Sequence, residues 1–292
     1  MFFQKYNAKK DGVIRGYDVK SSRVRLLCAV IMVLCFLMVI VCVFPALWVF
    51  LASFKDIREF TRDVTIFPGK LDIEGLKGTW KALKFTKYYQ NSFILVIGCT
   101  VCAVIFNGLL AYGIGILKPK GYRIAYGLIM WSLLIPATTS MVALNRNINI
   151  IGMQGSFLPL WFYYGANAFY FVLFKQFFEE LPKELLEAAK LDGCGILQIF
   201  FQIIIPLSRP IIMVVAIFAI TASWSDFLLP YLLLNGSGKE TVMVKLFTFK
   251  DTPTNAVHVL RATLFAIIPP TILFFIFQKQ ITDGAAAGAV KG

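Results

Sequence analysis

The chain has 292 residues, of which 58% are apolar, 15% aromatic and 15% charged, and its mean hydropathy is +0.73. A soluble domain averages about 45–50% apolar and about 25% charged residues, so this composition belongs in a lipid bilayer. The net charge of +13 does not argue for nucleic acid, because the basic residues fall between hydrophobic runs instead of lining one face. Anionic lipid headgroups account for them.

Residues 1–25 are polar and basic. The apolar run behind them is too long for the core of a signal peptide and lacks an A-x-A exit, so a retained first span is expected. A helix needs about 20 apolar residues to cross roughly 30 Å of hydrocarbon. By that measure the charge-free windows predict an all-α integral membrane protein with six transmembrane helices, within a transmembrane domain over 26–278. The spans fall near 26–54, 91–117, 124–145, 157–178, 211–234 and 260–278, with a long polar loop at 179–210 and a tail at 279–292. Pro45 and the Pro269-Pro270 pair predict kinks, tolerable in a membrane where neighbours satisfy the freed carbonyls.

Six spans put both termini on one side. With the termini inside, the inner segments hold seven basic residues before the first span and three in the short KPKGYR loop. Four more run from Lys175 to Arg209 and two lie in the tail, sixteen of the 29. The dense N-terminus and the short basic loop favour this orientation.

The six cysteines suggest no disulfide framework. Cys28, Cys35 and Cys42 recur every seven residues on one face of the first span, and Cys194 lies in the long polar loop. Cys99 and Cys102 form a CxxC inside the second span, with neither a His nor a second Cys pair at ligand spacing. They read as a small-residue helix seam. The lone histidine, His258, excludes His relays and multi-His metal sites. Asn107 and Tyr112 in the second span are polar groups that either line a solute path or hold neighbouring helices together. Gly113 and Gly115 have no third glycine to complete a nucleotide fingerprint, and close helix packing suffices for them.

Within the polar loop, LPKELLEAAKLDG reads as a helix. Pro182 suits its first turn and Glu184 its positive end. Ala188 and Ala189 leave a shallow face for close approach by another surface, and Gly193 is placed to cap the helix in a left-handed conformation. Beyond it Ile196, Ile199, Phe200 and Ile203 fall at i, i+3, i+4 and i+7, which predicts a second, amphipathic helix along the membrane surface. Pro206 and Pro210 then redirect the chain into the fifth span. The result is a helical finger between two crossings.

Asp226 is the sole acidic residue within a predicted span. Sixteen residues past Pro210, it stands about 24 Å along a helix at about 1.5 Å per residue, towards the outer leaflet. An intramembrane carboxylate either faces a cavity or sits at an interface or packing contact. Ser223, Trp224 and Ser225 beside it offer an aromatic plate and hydroxyls, the combination that stacks on and hydrogen-bonds a sugar. GSGKET at 236–241 has Leu233 where a phosphate loop requires its first glycine, and Glu240 follows Lys239. It reads as a turn, and no nucleotide site is expected in this chain.

The stretch EAAKLDGCGILQIFFQIIIPLSRP resembles the EAA loop of ABC-importer permeases, whose pattern is E-A-A, three residues, G, nine residues, I-x-L-P. Glu187, Ala188, Ala189, Gly193, Ile203 and Pro206 match, and Ile205 replaces the usual Leu. FKQFFEELPKELLEAAKLDG, PLSRP, SWSDFLLPYLLLN, YYQNSFIL, AYGIGILKPKG and the terminal AGAVKG are similar to the carbohydrate branch, specifically the second membrane subunit of maltose-type systems. The likeness runs from Leu26 to Gly292.

The resemblance implies a subunit of the bacterial plasma membrane. It would work with a second homologous permease, two cytoplasmic ATPase subunits and an extracytoplasmic solute-binding protein. ATP and Mg would sit on the ATPase, and this chain would bind no cofactor and no metal. Its finger would dock in a cleft of the ATPase through Glu187, Ala188, Ala189, Asp192, Gly193, Ile203 and Pro206. Ser223, Trp224, Ser225, Asp226, Asn107 and Tyr112 would be candidates for the solute path, and the tail would reach the ATPase as a second contact.

Two alternatives stand beside a sugar permease: an ABC permease for another solute, and an ion-coupled secondary carrier. The carrier would call for more buried ionisable groups and an internal repeat. A membrane enzyme would need paired carboxylates, a Ser/His pair or clustered ligands in the spans, and none is present.

Overall fold

The computed structural model describes residues 22–62, 65–250 and 256–289, and among these every regular element is a helix. The chain divides into two compact units between Asp72 and Ile73. Most of the basic N-terminal segment and the last three residues lie outside the described residues.

The first unit holds α1 (Ser22–Ser53) and α2 (Ile57–Arg62). The membrane window of α1 is apolar on every side and exposed all round, as suits a helix surrounded by lipid or by other membrane helices. Past its end, the buried Lys55 ammonium donates to the backbone carbonyl and hydroxyl of Thr65. The Asp72 N–H closes the segment on the Phe54 carbonyl at 2.8 Å.

The second unit starts with α3 (Ile73–Ala82) and α4 (Phe85–Ala111), which continues as a π-helical turn, Tyr112–Leu117. Then come α5 (Tyr122–Ser132), α6 (Ala137–Ile150), α7 (Leu158–Gly165), α8 (Ala168–Glu179) and α9 (Lys183–Leu191). The finger's second arm is α10 (Ile196–Ile199), a π turn (Phe200–Ile204) and α11 (Ile205–Leu207). The unit ends with α12 (Arg209–Ser225), α13 (Leu228–Leu234), α14 (Val242–Lys250) and α15 (Ala256–Ala289).

Among the described residues three helices are long and apolar enough to cross a membrane unbroken: 24–53, 85–117 and 256–278. The segments Ile196–Leu207 and Arg209–Ser225 qualify only together, and they are bent by 83°. The expected third, fourth and fifth spans are each two shorter helices, for reasons of backbone chemistry. Pro136 lacks an N–H and drives Ile135 out of helical geometry, which separates α5 from α6. Asn167 ends the next break, its side chain accepting the N–H groups of Phe169 and Tyr170 to start α8. Pro230 withholds the N–H that would bond the Asp226 carbonyl four residues earlier, and the chain opens there to ψ 126°. α6 runs on past the expected end of the third span, through Arg146 to Ile150. α15 likewise carries helix through the tail as far as Ala289.

The second unit is organised around α4. Its Leu95, Cys99 and Ala103 are buried against Leu160, Phe171, Phe174, Val215 and Ala219, drawn from α7, α8 and α12. Lipid is as apolar as leucine, so helices associate in a membrane by close packing, which favours small residues at the contact. Gly98 makes the closest approach. A Cβ built there would lie 2.1 Å from the Trp161 indole, and one on Gly165 would lie 2.6 Å from the Phe106 ring. Each helix therefore offers a glycine notch to an aromatic ring of the other. Cys99 donates from its thiol to the Leu160 carbonyl at 3.8 Å. The CxxC is thus part of the α4–α7 seam.

Replacing Gly98 with Ala forces the Trp161 ring out of its notch. The expected loss is about 1–3 kcal/mol, typical of an overfilled core, seen as a lower thermal midpoint in detergent. Gly127→Ala, whose new methyl has no neighbour within 4 Å, should hold or raise that midpoint.

Candidate functional site

The finger is built from local rules. Pro182 stands in the capping position ahead of α9 with φ −57° and ψ 126°, which makes the chain turn before the helix begins. At the far end the Gly193 N–H donates to the Lys190 carbonyl at 3.1 Å, and the Cys194 N–H to the Ala189 carbonyl at 3.0 Å. These crossed bonds form a Schellman cap, which needs a left-handed residue at its turn. Gly193 supplies it with φ +80°.

Exposure divides the E-A-A triplet. Glu184, Glu187, Ala188 and Leu191 stand exposed on one stripe at i, i+3, i+4 and i+7. Ala189 is only 5% exposed and belongs to the core with Leu186. The shallow outer face therefore rests on Ala188, while Ala189 seats the helix. Asp192 and Gly193 are exposed at the turn. Sequence reasoning missed Leu191, which is 89% exposed. An apolar side chain standing free at the tip of a charged helix is the signal that could have found it.

The second arm departs from the expected periodicity. The π turn at Phe200–Ile204 adds a residue to the helix, so the buried positions are Ile199, Phe200 and Ile204, with Ile203 half-buried. Ile196, expected on the same face as Ile199 and Phe200, is 58% exposed. Pro206 is exposed at the start of α11, and the chain bends by 83° at Ser208. The hydroxyl of Ser208 is fully buried with no hydrogen-bond partner. At the base of the finger, Glu179 pairs with Lys175 at 2.8 Å and with Lys118 at 3.9 Å. Lys175 also lies 4.5 Å above the Tyr126 ring.

The solute-path candidates separate into engaged and available groups. Asn107 is fully buried. Its amide donates to the Ala103 and Tyr164 carbonyls at 2.7 and 3.1 Å, and its oxygen accepts the Asn167 N–H at 3.0 Å. It pins α4 to the break between α7 and α8. Tyr112, 3% exposed, donates its hydroxyl to the Ile196 carbonyl. Ser223 is buried and donates to the Ala219 carbonyl. Trp224 is buried too, its indole N–H bonded to the Ala266 carbonyl at 3.1 Å and its ring packed on Tyr89 and Phe93.

None of those four presents a free polar atom. Ser225 is exposed, and Asp226 is half-buried with one carboxylate oxygen 3.4 Å from the Leu229 N–H. Asp226 thus closes the first turn of α13 at the break in the expected fifth span. Arg146 and Asn147, not singled out from the sequence, line an open groove of about 640 Å³ on α6 with Thr139 and Ile150. A cation inside the run NRNIN was their signal.

The GSGKET turn binds an anion of its own. The N–H groups of Gly236 and Gly238 donate to one Glu240 carboxylate oxygen at 3.0 and 3.3 Å, and Asn91 holds the carbonyls of Gly238 and Glu240. No group of three or more His, Cys, Asp or Glu among the described residues could hold a metal ion.

Residues 160–284 match the family described as binding-protein-dependent transport system inner membrane component. The chain is 30% identical to the galactooligosaccharides transport system permease protein of Bacillus subtilis strain 168, covering 94% of this chain and 99% of that one. It is 30% identical to the melibiose/raffinose/stachyose import permease protein of the same organism, covering 78% and 84%. Identity to the diacetylchitobiose uptake system permease protein of Streptomyces coelicolor is 26%, covering 86% and 85%. The fold is similar to that of a chain in the crystal structure of a bacterial ABC transporter involved in the import of the acidic polysaccharide alginate. That match has a TM-score of 0.81 at 22% identity and covers 89% of this chain and 98% of that one.

Asn107→Leu leaves the partly buried Asn167 N–H without its acceptor, at a cost of about 1–3 kcal/mol. The thermal midpoint of the purified protein should fall accordingly, and an unchanged midpoint would mean that Asn107 is not the pin.

Proposed function

The chain belongs to the family of binding-protein-dependent transport inner-membrane components, the permease subunits of ABC importers, and on that footing we propose that it forms half of a translocation path for a sugar or oligosaccharide. The relatives named for galactooligosaccharides, for melibiose, raffinose and stachyose, and for diacetylchitobiose favour carbohydrate over other solutes. The chain is a transport subunit and not an enzyme. Hydrolysis belongs to separate ATPase subunits, and ATP and Mg bind there.

In this reading six membrane crossings, three of them built from paired short helices, place both termini in the cytoplasm of a bacterial cell. The partners are a second homologous permease, two ATPase subunits and an extracytoplasmic binding protein. The finger over 179–210 docks in an ATPase cleft through Glu187, Ala188, Asp192 and Gly193, with Leu191 as an added apolar contact. Ala189, Ile203 and Pro206 hold the docking surface in place from behind. The helical tail beyond Gln278 offers a second contact.

The observation that carries the reading is the Schellman turn at Gly193, which sets the exposed E-A stripe at a fixed angle to the arm entering α12. A short helix so joined acts as a lever, whereas a flexible loop would absorb the motion. For the path, Ser225 and Asp226 are the available polar groups at the break after α12, with Arg146 and Asn147 on α6. Ionisable groups at membrane depth are costly unless they face a cavity or a partner. Ser223, Trp224 and Asn107 shape the surrounding wall, while Tyr112 stands against the finger instead.

Purification in mild detergent should bring an ATPase along with the intact chain, and deletion of the finger should release it. Retention of the ATPase after that deletion would sink the docking role. In reconstituted complex, ATP hydrolysis should rise with an oligosaccharide and not with a peptide. Gly193→Val puts a β-branched residue at φ +80°, where such residues are rarely accommodated. It should abolish transport while membrane insertion is kept, and normal transport by this variant would rule out the lever.

A further inference from the structure

The finger is not joined to the membrane helices by its chain ends alone. α4 ends in the π turn Tyr112–Leu117, where the Lys118 N–H bonds the Gly113 carbonyl at 2.9 Å. The finger's second arm contains the other π turn, with the Ile205 N–H bonded to the Phe200 carbonyl. The two turns meet. The Tyr112 and Phe200 rings lie 5.4 Å apart, and Phe200 also rests over Gly108, where a Cβ would be 3.6 Å from its ring tip. Gly108 and Tyr112 are one helical turn apart, so together they form a seat for Phe200 on α4. Across this seat the Tyr112 hydroxyl donates to the Ile196 carbonyl at 3.2 Å, three residues after the Gly193 turn. Tyr112 and Phe200 are both buried.

We propose that Tyr112 is a positioning residue that ties the finger to the C-terminal end of α4, so that displacement of the finger moves α4 as well as α12. The inference rests on the coupling role proposed above for the finger. A bond at the first residue of α10 acts beside the turn, where the two arms change direction, and a buried ring on a buried ring resists shear. π turns recur at functional sites because the added residue can be accommodated or released without unfolding the helix. Paired π turns at this contact give both helices such a joint. The hydroxyl is separable from the packing. The Ile196 carbonyl also accepts the Phe200 N–H within the helix, so Tyr112→Phe keeps the ring and leaves no acceptor orphaned.

Hydrogen exchange on the assembled transporter, with and without Mg-ATP and vanadate, tests the link. In the unmodified complex, nucleotide should change exchange at 196–204 and at 108–117 together. In Tyr112→Phe the response at 196–204 should persist, while that at 108–117 falls about three- to tenfold, the factor one hydrogen bond represents. Phe200→Leu, which keeps apolar volume and removes the ring contact, should show the same separation. An undiminished response at 108–117 in both variants overturns the proposal. So does exchange that is raised at both segments before nucleotide is added, which marks a merely structural role. A wild-type finger that does not respond to nucleotide at all takes down the coupling reading and this one together. A finger that responds while 108–117 stays silent takes down this one alone.

Discussion

The buried amide of Asn107 is the interaction on which the arrangement of helices depends. A membrane interior offers no water to an unpaired backbone group, so a helix can break there only where another part of the protein completes its hydrogen bonds. Asn107 does this with both ends of one side chain, accepting from Asn167 and donating to Tyr164. Because it also bonds the Ala103 carbonyl one turn earlier, the amide is locked to α4, the helix at the centre of the unit. The break between α7 and α8 is therefore held in register with the helix that packs on both. The glycine notches at Gly98 and Gly165 complete the arrangement by letting Trp161 and Phe106 close the seam.

The finger shows how far local chemistry reaches. The helix over 183–191 and the left-handed glycine behind it are consequences of a few adjacent residues, and they were legible without any tertiary information. The face that each residue takes was not. Ala188 and Ala189 are chemically identical neighbours, yet one is exposed and the other lies in the core. A π turn adds a residue to the second arm where it seats Phe200 against Tyr112 and Gly108, so that Ile204 and not Ile203 is the fully buried position. Strict 3.6-residue spacing cannot anticipate such an insertion.

The region around Asp226 illustrates the opposite limit. An aromatic ring, two hydroxyls and a carboxylate in one tetrapeptide suggest a sugar contact from composition alone. In the folded chain Trp224 and Ser223 are spent on packing and on internal hydrogen bonds, with Tyr89, Phe93 and the Ala266 carbonyl as partners. Only Ser225 and Asp226 keep polar atoms for anything else. The chain interruption that frees them had a visible cause in Pro230, four residues downstream. The glycine-rich GSGKET loop likewise has its anion-binding geometry filled by the neighbouring Glu240, so a motif that looks receptive is already satisfied.

By itself the sequence determined that the chain lives in a membrane, that it is helical, and where its polar finger begins and turns. These are sums over hydrophobicity or rules about adjacent backbone groups, and both are written in the order of residues. Only the tertiary structure decided that Asn107 is a pin and that Tyr112 faces the finger. It alone also left Leu191 and Ala188 outside while burying Ala189. Each of those outcomes depends on which group stands across a helix interface, 57 residues away for the Asn107–Tyr164 bond and 84 for the Tyr112–Ile196 bond. Local spacing carries no information about a partner at that distance; close packing and the need to satisfy every buried backbone group select it.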